Sequence, residues 1–378
     1  MKILKKILFW FIGIIVIINI VVLITGNSYL YSTFYHFGSS IDDYKFFDNR
    51  TIQAGTYIPI PDAKNYNKIK IDTSFRKILE EFNTIAYLVI KNDSVVYEEY
   101  WDGYDTNSYS GSFSVAKSIV SLLVGIAIDE GKINSVNQLV SDFIPEYKNG
   151  MNAKLTIRDL LTMTSGFDWE ESYNNPFSLT AKAYFGNDIP GIIKNLKVIE
   201  EPGYRYNYQS SNQLVLAYIL QKATGKTLSD YASEKLWKPL GARNSALWSL
   251  DRKDGMEKAY CCFNSNARDF SRIGLLALHN GKFNNKQIVS ESYINESTKP
   301  AELKDGNINE QYGYSWWQAK AFGKQFFYAR GIKGQYIIVL PQENMVIVRL
   351  GKKIIEHNNR IPAEVIAEFT LTDFEKIK

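Results

Sequence analysis

The sequence is poor in the residues that carry the commonest hydrolytic chemistries. Its 378 residues hold three histidines, His36, His279 and His357, and two cysteines, Cys261 and Cys262. No G-x-S-x-G is present, so a nucleophile elbow feeding a Ser-His-Asp triad has no support. The histidines stand at no ligand spacing from the cysteines, which argues against a four-ligand zinc site. His279 closes an apparent helix, Leu276 to Gly281, and reads as a helix-terminal residue. Adjacent cysteines rarely bridge without strain, so Cys261 and Cys262 are expected as buried free thiols. Basic runs are missing too: the net charge is +4, and Lys2, Lys5 and Lys6 supply most of it. A nucleic-acid partner therefore has no electrostatic basis. Glu98-Glu99, Glu170-Glu171 and Glu200-Glu201 are neighbours whose side chains diverge in a strand, so none supplies a glycosidase acid pair. There is no internal repeat.

What the chain does have begins at its N-terminus. Ile7 to Thr25 carries no charge and spans about 28 Å as a helix, close to a bilayer core of ~30 Å. Three lysines precede it, which places the N-terminus in the cytoplasm and the remainder outside. The run is longer than a usual signal h-region, and Leu23 to Asn27 offers no small-x-small cleavage site. An uncleaved anchor is thus expected over residues 1–26; cleavage, the alternative, would leave a secreted protein. No cysteine follows the segment to accept a lipid.

Residues 27–68 lack clear periodicity and read as a stalk or an arm packed on the domain. Thr84 to Lys91 reads as a buried strand, Asn92-Asp93 as a turn, and Ser94 to Tyr100 as the returning strand. Near the other end, Gln325 to Arg330, Gln335 to Leu340 and Met345 to Leu350 read as strands, and Ala363 to Thr370 as a closing helix. Trp316-Trp317 reads as core, following Tyr312 to Tyr314 in an apparent strand. Between the strand groups the pattern is helical from 114 to about 300: Thr156 to Met163 before Gly166, Asn212 to Thr224 before Gly225, and Asp269 to His279. The expected fold is α+β: an antiparallel sheet built from N- and C-terminal strands, flanked by helices, with an inserted mainly helical subdomain, all within 69–378.

Ser114-Val115-Ala116-Lys117 opens a long apolar run, Ser118 to Ile128, that reads as a buried helix. The i,i+3 spacing sets both side chains on one face. The helix N-terminus favours negative charge developing on the serine oxygen. Burial lowers the lysine pKa so that its amine can take the serine proton. A second S-x-x-K, Ser74 to Lys77, precedes a polar-rich segment and reads as a surface helix start with Ser74 as N-cap.

With these elements in order, the sequence resembles the serine β-lactamase and penicillin-recognising superfamily over roughly residues 84–351. The likeness is to its class C-like, esterase and 6-aminohexanoate-dimer-hydrolase branch. Ser112 to Ser118 is similar to the first motif, Thr156 to Gly166 to the second landmark, Tyr208-Gln209-Ser210 to the Y-x-N motif, and Ala329-Arg330-Gly331 to the K-T-G strand. The resemblance implies Ser114 as nucleophile, Lys117 as its proton partner and Tyr208 as a second acid/base, its phenolate favoured by the nearby ammonium. It implies an oxyanion hole from the backbone N–H groups of Ser114 and Ile332, and substrate contacts from Tyr173, Ser210, Arg330 and Gly331, with Gly331 letting substrate approach the strand edge. Ser210 replaces the motif's asparagine and Ala329 its lysine, so the usual carboxylate contact is rewritten, with Arg330 a cation of different reach. The implied activity is a membrane-anchored, extracytoplasmic serine hydrolase of a small amide or ester, needing no metal or cofactor. A D-alanyl peptidase or β-lactamase, or a non-catalytic penicillin-binding-type receptor, is the alternative.

Overall fold

Alternation along the strands builds the centre of the molecule. The computed structural model describes residues 2–36, 38–354 and 362–374; His357 lies outside them. Six strands, β1 (Thr84–Lys91), β2 (Ser94–Tyr100), β3 (Trp317–Ala321), β4 (Lys324–Gly331), β5 (Gln335–Leu340) and β6 (Met345–Gly351), form one antiparallel sheet in the order β3-β4-β5-β6-β1-β2. Asn92 and Asp93 both take left-handed backbone (φ 49° and 61°), the turn whose twist matches a two-residue hairpin. Successive residues send side chains to opposite faces. Leu88, Ile337 and Val346 enter one core; Tyr87, Ile338 and Ile347 enter the other. Helices Thr73–Glu81 and Pro362–Phe374 cover the second face. The first face packs on helices Val115–Asp129 and Ala267–Leu278.

Helix Val115–Asp129 is apolar nearly all round and buried from Val115 to Ala127, as an interior helix requires. Helix Ser211–Thr224 packs on it and stops at Gly225, whose φ of 70° makes the left-handed C-cap. A second antiparallel sheet, of strands Asn49–Ile52, Ala246–Ser249, Phe263–Ser265 and Ser110–Gly111 in that order, was not foreseen. It sits beneath the chain's approach to Ser114. Ile41, Ile52 and Ile60, from the segment read as a stalk or arm, are buried in the main core. Helix Lys2–Ile24 is long and apolar enough to cross a membrane by length and composition.

Three local expectations are corrected. Ser74 is not the N-cap: Asp72 is, accepting from the N–H groups of Ser74 and Phe75, because a carboxylate two residues earlier outcompetes a hydroxyl already inside the first turn. Tyr312 to Tyr314 is not a strand; the chain kinks at Ser315 (φ 63°) and β3 starts at Trp317. The helix after Thr156 ends at Leu161, earlier than read, since Met163 takes φ 59°.

Candidate active site

Ser114 sits where the second sheet hands the chain to the buried helix. Ser112 N–H donates to Phe263 O at 2.9 Å and Gly111 N–H to Ile41 O at 2.8 Å. Phe113 then takes φ 45°, a costly backbone for a bulky residue, and Ser114 becomes the helix N-cap without using its side chain as a cap. Its hydroxyl faces a cavity of about 330 Å³ whose wall includes Tyr173, Ser210, Tyr260 and Ile332.

Lys117, one turn on, is fully buried. Its Nζ lies 2.8 Å from Ser114 Oγ, 3.3 Å from Ser210 Oγ and 3.0 Å from Tyr260 O. An ammonium fills all three with its three protons; a neutral amine keeps two and turns its lone pair to the Ser114 hydroxyl. Burial pulls the Lys117 pKa down to about 8, with Glu171 opposing that fall. The site therefore holds an amine that titrates near neutrality and touches the serine.

The Tyr208 ring lies 5.0 Å from Lys117 Nζ and 5.3 Å from the Trp317 ring. Burial pushes its pKa well above the usual phenol range, Glu171 adding to the rise, against smaller lowering by Ser114 and Arg330. The expectation of a favoured phenolate is corrected: desolvation outweighs nearby positive charge.

Glu171 was missed as a site residue. It accepts from Ser210 Oγ at 2.6 Å, Ser210 N at 2.7 Å, Tyr173 OH at 2.7 Å and Trp169 Nε1 at 2.8 Å. Four donors satisfy this half-buried carboxylate without a direct salt bridge. Trp169, Glu171 and Tyr173 alternate in sequence, so an extended segment brings their polar tips to one side; that spacing was the available signal. Ser210 is thus a relay between Lys117 and Glu171 as well as part of the cavity wall.

The expected substrate contacts separate. Tyr173, Ser210 and Ile332 line the cavity with Ser114. Arg330 does not: it is exposed, and its guanidinium lies 5.3 Å from the Trp317 ring, because strand alternation sends Ala329 into the core and Arg330 to the other face. Gly331 packs closely on the protein, since a Cβ there would stand 2.3 Å from Ser112 O. That contact seats the end of β4, and hence Ile332, against the chain leading to Ser114.

The free-thiol reading of the cysteines is also corrected. Cys261 and Cys262 form a disulfide between neighbours; a left-handed Cys262 (φ 65°) allows the turn that brings the two sulfurs together. Cys261 lines the cavity, and the preceding Tyr260 carbonyl is the one Lys117 donates to.

An antiparallel sheet made from both ends of a domain, with a serine at the mouth of a buried helix against it, is the architecture of the penicillin-recognising serine hydrolases. The sequence matches the Beta-lactamase family over residues 71–358. The chain belongs to that family, whose serine hydrolases act on amide and ester bonds. The 6-aminohexanoate-dimer hydrolase of Paenarthrobacter ureafaciens is 27% identical over 292 residues, covering 72% of this chain and 74% of its own length. A Bacillus anthracis protein provisionally given the same name superposes with a TM-score of 0.77 at 23% identity, over 89% of this chain and 93% of its own. A family VIII carboxylesterase does so with a TM-score of 0.65 at 15% identity, over 84% and 99%. Those two likenesses are of fold.

Proposed function

We propose that this protein is a membrane-anchored serine hydrolase that cleaves an amide or ester through an acyl-enzyme on Ser114. The observation that carries the proposal is the 2.8 Å approach of a buried, pKa-lowered Lys117 amine to the Ser114 hydroxyl. The neutral amine takes the serine proton as Oγ attacks the carbonyl carbon. The N–H groups of Ser114 and Ile332 receive the developing oxyanion. Tyr208, held as a phenol, passes a proton to the leaving amine or alkoxide and recovers one from Lys117. Water then attacks the acyl-enzyme and restores Ser114. Glu171 acts through Ser210, holding the amine's surroundings and opposing the fall of its pKa.

Residues 1–26 serve as the anchor, 27–68 as an arm and 69–378 as the catalytic domain. The positive charge before the apolar helix puts that domain outside the cytoplasm. The substrate is a small amide or ester, as the name of the Paenarthrobacter relative suggests. A carboxylate-bearing D-alanyl peptide or β-lactam fits less well, because Arg330 is not among the residues that line the cavity.

The test is labelling with a fluorophosphonate, together with turnover of p-nitrophenyl acetate, by wild type, Ser114→Ala and Lys117→Ala. Both activities should be lost in the Ser114 variant and fall by at least about 10²-fold in the Lys117 variant. Full labelling and turnover by Ser114→Ala would sink the proposal.

A further inference from the structure

Among the described residues, the wall of the cavity beside Ser114 holds no charged side chain. Phe113, Phe185, Pro176 and Ile332 supply much of its surface, and the polar atoms are hydroxyls and amides. A group that carries an ammonium or a carboxylate would lose its hydration there without meeting a counter-charge in the wall itself, since Lys117 and Glu171 lie behind the hydroxyls of Ser114 and Ser210. An uncharged hydrocarbon loses nothing.

The same cavity is walled by the segment that follows the apolar N-terminal helix. Thr33 and Phe34, on helix Tyr29–His36, are part of its lining. That helix folds back on its predecessor: Tyr31 OH donates to Asn19 Oδ1 at 2.6 Å. Asn19 lies five residues before the end of helix Lys2–Ile24, which is about 8 Å along the axis. The cavity wall therefore stands beside the outer end of the apolar helix, at the level of a membrane interface if that helix spans.

The rim agrees. Phe34 is 59% exposed and Phe177, next to the lining residue Pro176, is 68% exposed. Tyr35 and Phe46 are exposed as well, and both pack on His36, which stacks on Phe185 of the cavity. Aromatic side chains collected at one end of a span are the usual occupants of the bilayer interface, and an exposed apolar patch around a cavity marks a surface that is covered in use.

From this placement we infer that the substrate is a membrane-resident amphiphile, an ester or amide whose uncharged medium-length acyl chain enters the cavity while the rest stays in the bilayer. The inference rests on the Ser114 hydrolase reading and on the anchor. The acyl carbon forms its bond to Ser114 Oγ, the bond to the lipid's alkoxide or amine breaks, and that group takes the serine proton. Water then releases the acyl chain as a carboxylic acid.

The test uses the full chain. In detergent, 4-methylumbelliferyl esters from acetate to octanoate are compared by kcat/KM. Each methylene that enters the cavity should raise kcat/KM by about fourfold (~0.8 kcal/mol), so hexanoate should exceed acetate by about 10²-fold. Ala181→Trp, which fills the cavity from its wall, should flatten that series. In phosphatidylcholine–phosphatidylglycerol vesicles, the probe is a glycerol bearing one hexadecyl ether, which resists exchange between bilayers, and one octanoyl ester. Enzyme and probe in the same vesicles should react at least about tenfold faster than in separate vesicles, through local concentration. A flat or falling ester series with Ser114 still labelled overturns the inference and leaves the hydrolase reading standing. A rising series with equal rates in shared and separate vesicles overturns the membrane source. Absence of Ser114 labelling removes the hydrolase reading and this inference together.

Discussion

Replacing Glu171 with glutamine isolates the electrostatic control of the base. Lys117 Nζ is 3.3 Å from Ser210 Oγ, which is 2.6 Å from Glu171 Oε1. The two charges are thus about 6 Å apart, a separation worth ~3 kcal/mol at an effective dielectric near 20, or about two pH units. Allowing for relaxation, the variant should lower the Lys117 pKa by at least about one unit. Glutamine can keep the network, with Oε1 accepting from Trp169 and the Ser210 N–H and Nε2 donating to the two hydroxyls. The sign comes from the base being the deprotonated amine. In wild type the acylation rate rises with pH through about 8, and only about a tenth of the amine is neutral at pH 7. In Glu171→Gln the rise should move to about pH 6.5–7, while the alkaline plateau falls because a less basic amine is a weaker proton acceptor. Burst kinetics with p-nitrophenyl acetate from pH 5 to 10 measure both limbs. An acid limb that stays within about 0.3 units of wild type, or moves upward, refutes the coupling.

Other consequences are as direct. Tyr208→Phe keeps the ring against Trp317 and Lys117 and should lower kcat by about 10²–10⁴-fold, with a stability change within about 1 kcal/mol by thermal melting. Wild-type levels of kcat would remove the phenol from proton transfer. Gly331→Ala drives a Cβ to within 2.3 Å of Ser112 O; unfolding should cost about 1–3 kcal/mol less and kcat should fall as Ile332 is displaced, whereas an unchanged melting temperature would contradict the packing. Denaturing thiol titration should count no free thiol before reduction and two after it, given the Cys261–Cys262 bond; two reactive thiols in the unreduced chain would restore the reading from sequence.

The main sheet was legible because burial on two faces leaves a strong record. β1 and β5 begin and end at the residues read from the sequence, since each is a run of core side chains closed by turn residues. Helix Ser211–Thr224 was legible for the same reason, with Gly225 supplying its stop. The second sheet was not: strands such as Ser110–Gly111 and Phe263–Ser265 are too short for a period to show. The two S-x-x-K copies were separable by the helices they open. The one at Ser74 has polar positions facing water, while the one at Ser114 is buried from Val115 to Ala127.

The harder part of the site to read was its charge balance. Ser114 and Lys117 are three residues apart, and helix geometry alone fixes their meeting. Whether that lysine can act as a base depends on the size of its pKa shift, which depends on burial by elements far along the chain and on a carboxylate 54 residues away. Desolvation alone would carry a fully buried lysine down by several units; Glu171 limits the fall so that the amine titrates near 8. Neither group announces this in the sequence: Glu171 sits in an acidic pair, and Ser210 looks like a weakened asparagine. Their joint role appears only when Ser210 is seen to accept from Lys117 and donate to Glu171. A hydroxyl suits that relay, because one group must accept on one side and donate on the other. Substituting Ser210 by alanine removes one of the four donors to Glu171, the hydroxyl, and should therefore change the pH dependence of acylation as well as its rate. Since the Ser210 N–H bond to Glu171 survives the substitution, the carboxylate should stay near the amine, and the acid limb should move less than in Glu171→Gln.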